Sequence, residues 1–285
     1  MHHRCNLHSR ILNYALVTLV LAIIASGCGS PVETESPPTQ TAQAERASRL
    51  ATQMAGTLVP TWQVSNAEIT ATAQAFDGFL QEVRQWPLFI LDTFDSDRDL
   101  WDTGVMTDTL GTAKWAISEN IFQWDLYANQ GVVWWSIPEI DSVGDFYVSV
   151  DVQQIDGPED AQCGLVFRRT DDQNYYLFEI NRQGQYAAYL YLNGSWETWL
   201  EWSEFDAIQT NEPNRLSVIG LGSTYWFLVN NQIIPSISGI AGNSQDGPVQ
   251  GTIGLLVGLD EAGQSASWEF DNFEIRIPPA DTPTP

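Results

Sequence analysis

Histidine is nearly absent from this chain of 285 residues. Its three copies, His2, His3 and His8, all sit at the amino-terminal end. The rest of the chain therefore lacks the side chain most often used as a general base near neutral pH. A Ser–His or Cys–His nucleophile pair cannot be assembled there. Cysteine is almost as scarce, with only Cys5, Cys28 and Cys163. Bases are few too: 12 Lys and Arg face 36 Asp and Glu, for a formal net charge of −24. Binding a phosphate backbone requires a basic surface, so nucleic acid is excluded as a partner. The acidity itself favours solubility and names no ligand. The apolar run Ile11–Ala25 is about 15 residues long, short of the roughly 20 needed to span a bilayer as a helix.

What is present begins with that run. It follows "MHHRCNLHSR", which holds Arg4 and Arg10 and no acid, and it leads through small residues to Cys28. A basic start, an apolar stretch and small residues before a cut site form a secretory leader. Small residues running directly into a cysteine resemble the bacterial lipoprotein signal. That resemblance implies removal of residues 1–27 and acylation of Cys28. The protein would then be extracytoplasmic, attached to the cell membrane through a lipid bilayer anchor and not spanning it. With Cys28 acylated, Cys163 has no disulfide partner, although an exported protein could form one. Cys163, in "AQCGLVF", reads as a small core hydrophobe. The processed chain also loses two arginines and no acid, leaving ten bases against 36 acids and a net charge of −26. An anionic membrane surface would repel such a chain, which makes a lipid tether more necessary.

Residues 28–65 are rich in Ser, Thr, Pro, Gln, Ala and Glu and read as a low-complexity tether. Residues 66–87 then show an apolar stripe, with Ile69, Ala73, Phe76, Leu80 and Val83 at spacings of three or four. Ser65 and Asn66 are cap candidates, Glu68 lies in the first turn, and Pro87 stops the helix. The stripe is too short for a coiled coil and predicts a short helical stalk. Beyond it, short runs of Val, Ile, Phe, Tyr and Trp alternate with Gly, Asn and Asp turns over residues 88–277. That texture belongs to an all-β sandwich or barrel. "NRQG" (181–184) and Asn230–Asn231 read as hairpin turns, where Gly and Asn accept positive φ. Residues 278–285 read as a disordered tail.

Several phrases carry a further resemblance: "DTFDSDRDLW", "CGLVFRRTDDQNYYLFEINRQGQYAAYLYLNGSWETW", "NEPNRLSVIGLGSTYWFLVNNQII", "GTIGLLVGL" and "WEFDNFEIRI". In this order they resemble concanavalin A-like jelly-roll domains of the laminin-G type found in bacterial lipoproteins. They are similar, more distantly, to keto-disaccharide hydrolase-like domains. The resemblance implies a two-sheet antiparallel jelly-roll sandwich over about residues 92–277. Such a fold hosts many functions, so it names none. Within "SASWEFDNFEIRI", Trp268 and Phe270 share one parity and Phe273, Ile275 and Ile277 the other, which predicts a bulge near Asn272.

The hairpin 174–192 raises the functional question, because both of its faces are apolar. Strand alternation places Tyr176, Phe178, Ile180, Tyr186, Ala188, Leu190 and Leu192 on one face, provided Gly184 supplies a bulge. That face reads as core. The other carries Tyr175, Leu177, Glu179, Ala187, Tyr189 and Tyr191, with Trp196, Trp199 and Trp202 just downstream. Aromatic rings with sparse carboxylates suit the apolar C–H face and the hydroxyls of a sugar. Tyr175, Glu179, Tyr189, Tyr191, Trp196 and Trp199 are the candidate ligand residues, and carbohydrate is the candidate ligand. Three other readings stand beside this one. Cross-strand tyrosines stabilise a sheet without any ligand. The helix or the segment 235–250 could cover the face. A protein partner would also use Tyr and Trp.

Catalysis finds less support. "EIDSVGD" (139–145) resembles part of the carboxylate strand of laminarinase-type glycoside hydrolases, which work with paired carboxylates. Val143 and Gly144 stand where that motif needs its second glutamate, and "SVGD" reads as a turn. The sequence is therefore read as a non-enzymatic binding module, with glycoside hydrolysis as the competing class. A structural Ca²⁺ held by Asp95 and Asp271 is implied by the jelly-roll resemblance. Read as residues alone, these aspartates are turn formers and edge solubilisers. Leu100 occupies the place where a helix–loop–helix calcium site needs Gly.

Overall fold

The computed structural model describes residues 4–6, 66–235, 240–241 and 247–279. Cys28, the tether 28–65 and the tail from 280 lie outside the described residues. The chain begins with β1 (Arg4–Asn6), helix α1 (Asn66–Val83), β2 (Leu88–Asp92), β3 (Gly104–Thr107), β4 (Gly111–Ser118) and β5 (Ile121–Ala128). Next come β6 (Val132–Ser136), β7 (Phe146–Asp156), β8 (Gln162–Asp171), β9 (Asn174–Asn181), β10 (Gln185–Leu192) and β11 (Ser195–Glu204). The last strands are β12 (Asn214–Leu221), β13 (Thr224–Val229), β14 (Gln232–Ile233), β15 (Ile240–Ala241), β16 (Thr252–Leu259) and β17 (Ser265–Arg276).

These strands form two antiparallel sheets. The seven-stranded sheet runs β1-β6-β16-β8-β9-β10-β11. The ten-stranded sheet runs β14-β13-β12-β7-β17-β5-β4-β3, with β15 beside β13 and β2 beside β17. The architecture is the all-β, two-sheet antiparallel sandwich that the sequence implies. Residues 4–6 pair with β6, Arg4 opposite Trp134. They belong to the segment read as a leader, so in a processed chain β6 would be the edge strand.

The main core lies between the sheets and is dense in aromatic rings. Trp101 bridges the start and the end of the domain, 5.7 Å from Phe94 and 5.0 Å from Phe273 between ring centroids. The parity switch in β17 is real: Trp268, Phe270, Phe273 and Ile275 all reach this core. Asn272 adopts φ 52° between the two pairs, and the register against β7 shifts between Asp271 and Glu274. One extra residue at Asn272 is what lets residues of opposite parity face the same way.

Helix α1 does not stand clear of the sandwich. Phe76, Phe79, Leu80, Val83 and Trp86 pack on Tyr147, Ile219, Leu221, Trp226 and Leu228, the outer face of the ten-stranded sheet. The Phe79 and Trp226 rings are 5.1 Å apart. Arg276 fixes the helix exit by donating from Nη1 to the Trp86 carbonyl at 2.9 Å. The Phe76, Leu80 and Val83 part of the stripe expected of a stalk is thus the contact surface of a third layer.

Cys163 sits in the main core, 4 % exposed. Burial raises its thiol pKa well above the ordinary value, and the nearby Glu179 charge raises it further. A thiol kept protonated is a poor nucleophile. Native protein is expected to leave Cys163 unlabelled by Ellman's reagent at pH 8, with full labelling in denaturant. Rapid labelling of the folded protein would contradict a core role.

Candidate functional site

The hairpin β9–β10 places its faces as the sequence alternation requires. Ile180 pairs with Tyr186, Phe178 with Ala188 and Tyr176 with Leu190, and all six residues enter the main core. The connection works because Gly184 takes φ 77° and its N–H donates to the Asn181 carbonyl. A glycine in the left-handed region at the end of a three-residue loop keeps both strands in matching register.

The opposite face forms a separate cluster. Val133, Trp135, Val166, Tyr175, Leu177, Ala187, Tyr189 and Leu256 are its buried members, with Tyr191, Trp196 and Trp202 packed against them. Every described member of this cluster comes from the seven-stranded sheet or the residue that follows β6. The rings form a continuous file across that sheet. Trp135 lies 5.0 Å from Tyr175, Tyr175 lies 5.2 Å from Tyr191, and Tyr191 lies 4.6 Å from Trp196. Tyr189 meets the same indole edge-on at 5.9 Å. The Arg169 guanidinium sits over Trp135, 5.8 Å from its ring, and pairs with Asp172.

Accessibility divides the predicted residues. Tyr175 and Glu179 are fully buried and Tyr189 is 6 % exposed. Tyr191 and Trp196 remain half-buried at the β10–β11 turn. The surface that a ligand could reach is therefore the Tyr191–Trp196 end of the file, not its whole length.

Trp199 departs from this face. Its ring packs against Tyr176 at 5.0 Å and Tyr225 at 5.5 Å, on the core side. The odd spacing from Trp196 puts it there by strand alternation, and a bulge in β11 then turns Leu200 to the same side. Ala188 pairs with Leu200 while Tyr189 pairs with Thr198, so Trp199 is the unpaired extra residue. The period of three in Trp196, Trp199 and Trp202 does not describe one row. Trp196 and Trp202 share the outer face, and Trp199 turns inward.

The remaining candidates are dispersed. Asp95 is exposed and accepts a hydrogen bond from Ser96 at 3.3 Å. Asp271 belongs instead to a polar group on β7, β12 and β17. There Asn272 donates to Asp271 and Asp151, and Arg215 pairs with Asp151 at 3.1 Å and Glu274 at 3.3 Å. Burial raises the Asp271 pKa against the lowering effect of the Asn272 N–H, and the Asp151 charge raises it further. Among the described residues no group of three or more His, Cys, Asp or Glu is arranged to hold a metal ion. Glu139 and Asp141 are exposed and lie in the loop between β6 and β7 rather than on a strand. With Phe89, Ile90 and Ile140 they line an open cleft of about 430 Å³.

One buried cation was not foreseen. Arg168 follows Phe167 in β8 at φ 49°, a conformation rare for a side-chain-bearing residue, and is fully buried. It crosses to the other sheet, donating to the Gly222 carbonyl at 2.9 Å and lying 3.7 Å from Asp145. The Phe146 and Tyr225 rings flank it at 5.3 and 5.5 Å. Alternation from Leu165 and Phe167 would turn Arg169 inward; the strand bulges after Phe167, and Arg168 turns inward instead, which the sequence did not signal.

No family model matches the sequence. No curated protein matches it either. Solved structures of similar shape include a carbohydrate-binding module from Bacillus subtilis, 20 % identical, covering 61 % of this chain and 96 % of that one, with a TM-score of 0.46. A protein of unknown function with a galectin-like fold from Bacillus subtilis is 13 % identical over 67 % of this chain and 97 % of its own, TM-score 0.49. The catalytic domain of an endo-1,3-β-glucanase (laminarinase) from Thermotoga petrophila is 9 % identical over 69 % of this chain and 99 % of its own, TM-score 0.49.

Proposed function

We propose that this protein is a non-catalytic carbohydrate-binding module, held outside the cytoplasm by a lipid on Cys28. The sugar would rest on the outer face of the seven-stranded sheet where Tyr191 and Trp196 reach the surface. The observation that carries this reading is the ring pair itself: two aromatic side chains 4.6 Å apart, both half-buried, on adjacent strands of a rigid sheet. Half-burial fixes the rings and leaves part of each for stacking, which lowers the entropy lost on binding. Exposed Asn193 in the turn and exposed Thr198, which pairs with Tyr189, stand on this side to meet hydroxyl groups. The anchoring half of the proposal rests on the leader features and on the acidity of the processed chain. Among the described residues no helix is long and apolar enough to cross a membrane.

Affinity electrophoresis through gels containing laminarin, xylan, levan or galactan tests the binding half. At least one polysaccharide is expected to retard the protein. Trp196→Ala is expected to abolish the retardation while leaving thermal unfolding nearly unchanged, since the ring is only half-buried. Unchanged retardation in Trp196→Ala would reject this surface. A second reading, a protein-packing face, is favoured by the full burial of Tyr175 and Leu177. On that reading no polysaccharide retards the protein, and Tyr175→Ala loses stability.

A further inference from the structure

The turn that carries the ring pair holds the one Asn–Gly step in the sequence, Asn193–Gly194. Leu192 pairs with Ser195, so these two residues alone make the connection, with φ values of 51° and 78°. This is the two-residue turn that Asn–Gly favours. Both residues are exposed. The side chain of Asn193 is less tied than those of several asparagines of this protein. The carboxamides of Asn181, Asn214, Asn230 and Asn272 are each tied by hydrogen bonds to the backbone or to other side chains. Among the described residues, that of Asn193 has no such bond. The backbone nitrogen next to it is also weakly held. Gly194 N–H donates to the Gln173 carbonyl at a long 3.5 Å, and glycine puts no side chain in the way of attack at that nitrogen.

We infer that Asn193 is a site of spontaneous covalent modification, deamidation through a cyclic imide. Hydroxide takes the proton from the Gly194 backbone nitrogen, and the nitrogen attacks Cγ of Asn193. A new N–Cγ bond forms, the Cγ–Nδ2 bond breaks, and ammonia leaves with a proton returned by water. Water then opens the five-membered imide at either carbonyl, giving aspartate or an isoaspartyl linkage. The balance is one water consumed and one ammonia released, with no change of oxidation state. Either product places a negative charge in the exposed turn. The isoaspartyl product also adds a methylene to the backbone of a two-residue turn. That lengthening would separate Tyr191 from Trp196, which are placed by the turn. The consequence for a bound sugar rests on the carbohydrate reading; the modification does not.

The folded full-length protein, aged at pH 8.5 and 37 °C, tests this by peptide mass spectrometry with and without a methyltransferase specific for isoaspartate. The peptide spanning Asn193 is expected to convert first, with isoaspartyl methylation that is lost in Asn193→Gln. If Asn193 stays amidated while other asparagines convert, or converts only in denaturant, the turn protects it and the inference fails. The Asn193→Asp variant separates the two claims. If aged protein converts but Asn193→Asp binds polysaccharide as well as the parent does, modification stands and its effect on binding is confined to the isoaspartyl form. If no polysaccharide binds the unaged protein, the carbohydrate reading fails and the modification is judged on mass alone.

Discussion

Asp145→Ala is expected to destabilise the protein by about 3–5 kcal/mol, the cost of leaving a buried charge without its counter-ion. Arg168 is fully buried, and once Asp145 is gone its guanidinium keeps, among the described residues, the Gly222 carbonyl and two ring faces. Asp145 also accepts from the Gly222 N–H at 2.7 Å, so its removal loosens the β12–β13 turn as well. The reverse change costs less. In Arg168→Met the apolar replacement fills the same space between Phe146 and Tyr225. Asp145, at 14 % side-chain exposure, keeps the Gly222 N–H and reaches water. Urea unfolding of both variants checks the asymmetry. A larger loss in Arg168→Met than in Asp145→Ala would show that the cation stabilises the joint between the sheets by packing and not by charge.

Trp124→Ala has an effect of similar size and a different origin. Trp124 is fully buried, with ring contacts to Trp115 at 5.6 Å, Phe122 at 6.2 Å and Phe270 at 6.2 Å. Removing a buried indole costs roughly 3–5 kcal/mol through lost transfer energy and the cavity left behind. Domains are stable by only about 5–15 kcal/mol, so the variant would sit close to unfolding. Tyr127, three residues along the same strand and 46 % exposed, supplies the control. Its replacement by alanine is expected to change stability by no more than about 0.5 kcal/mol. Thermal melts of the two variants side by side read out the difference. A larger loss in Tyr127→Ala than in Trp124→Ala would mean that the face assignment of β5 is inverted.

Strand parity was the most legible feature of this sequence, because it depends only on local geometry. It placed Tyr176 inward and Tyr175 outward, and it located the bulge at Asn272 from the mismatch between Phe270 and Phe273. Turn chemistry was equally direct at Gly184 and Asn230–Asn231, where positive φ is needed. Features that depend on pairing partners were not legible. Alternation alone separates Trp199 from Trp196, but the bulge that turns Leu200 inward beside it depends on the pairing with β10. β3 escaped notice because Gly104–Thr107 is a short edge strand with Val105 pointing into solvent. The apolar stripe of α1 announced a buried face, yet nothing in it said that the ten-stranded sheet would provide the cover.

The candidate site was legible in composition and not in accessibility. An outward row of Tyr and Trp can be read from alternation, and Tyr175, Tyr189, Tyr191 and Trp196 do gather in one cluster. How much of each ring stays open depends on lateral packing, which one strand cannot reveal. Burial of Tyr175 and Tyr189 moves the ligand surface toward the β10–β11 turn and makes Trp196 the residue to watch.

The most direct test follows the tryptophan indole N–H resonances by two-dimensional NMR while laminarin, xylan, levan or galactan oligosaccharides are added. Sugar stacked at the β10–β11 turn shifts the Trp196 signal, identified by its loss in Trp196→Phe, and leaves the buried Trp124 signal in place. A Trp196 signal unmoved by every one of these oligosaccharides contradicts a sugar site on this face.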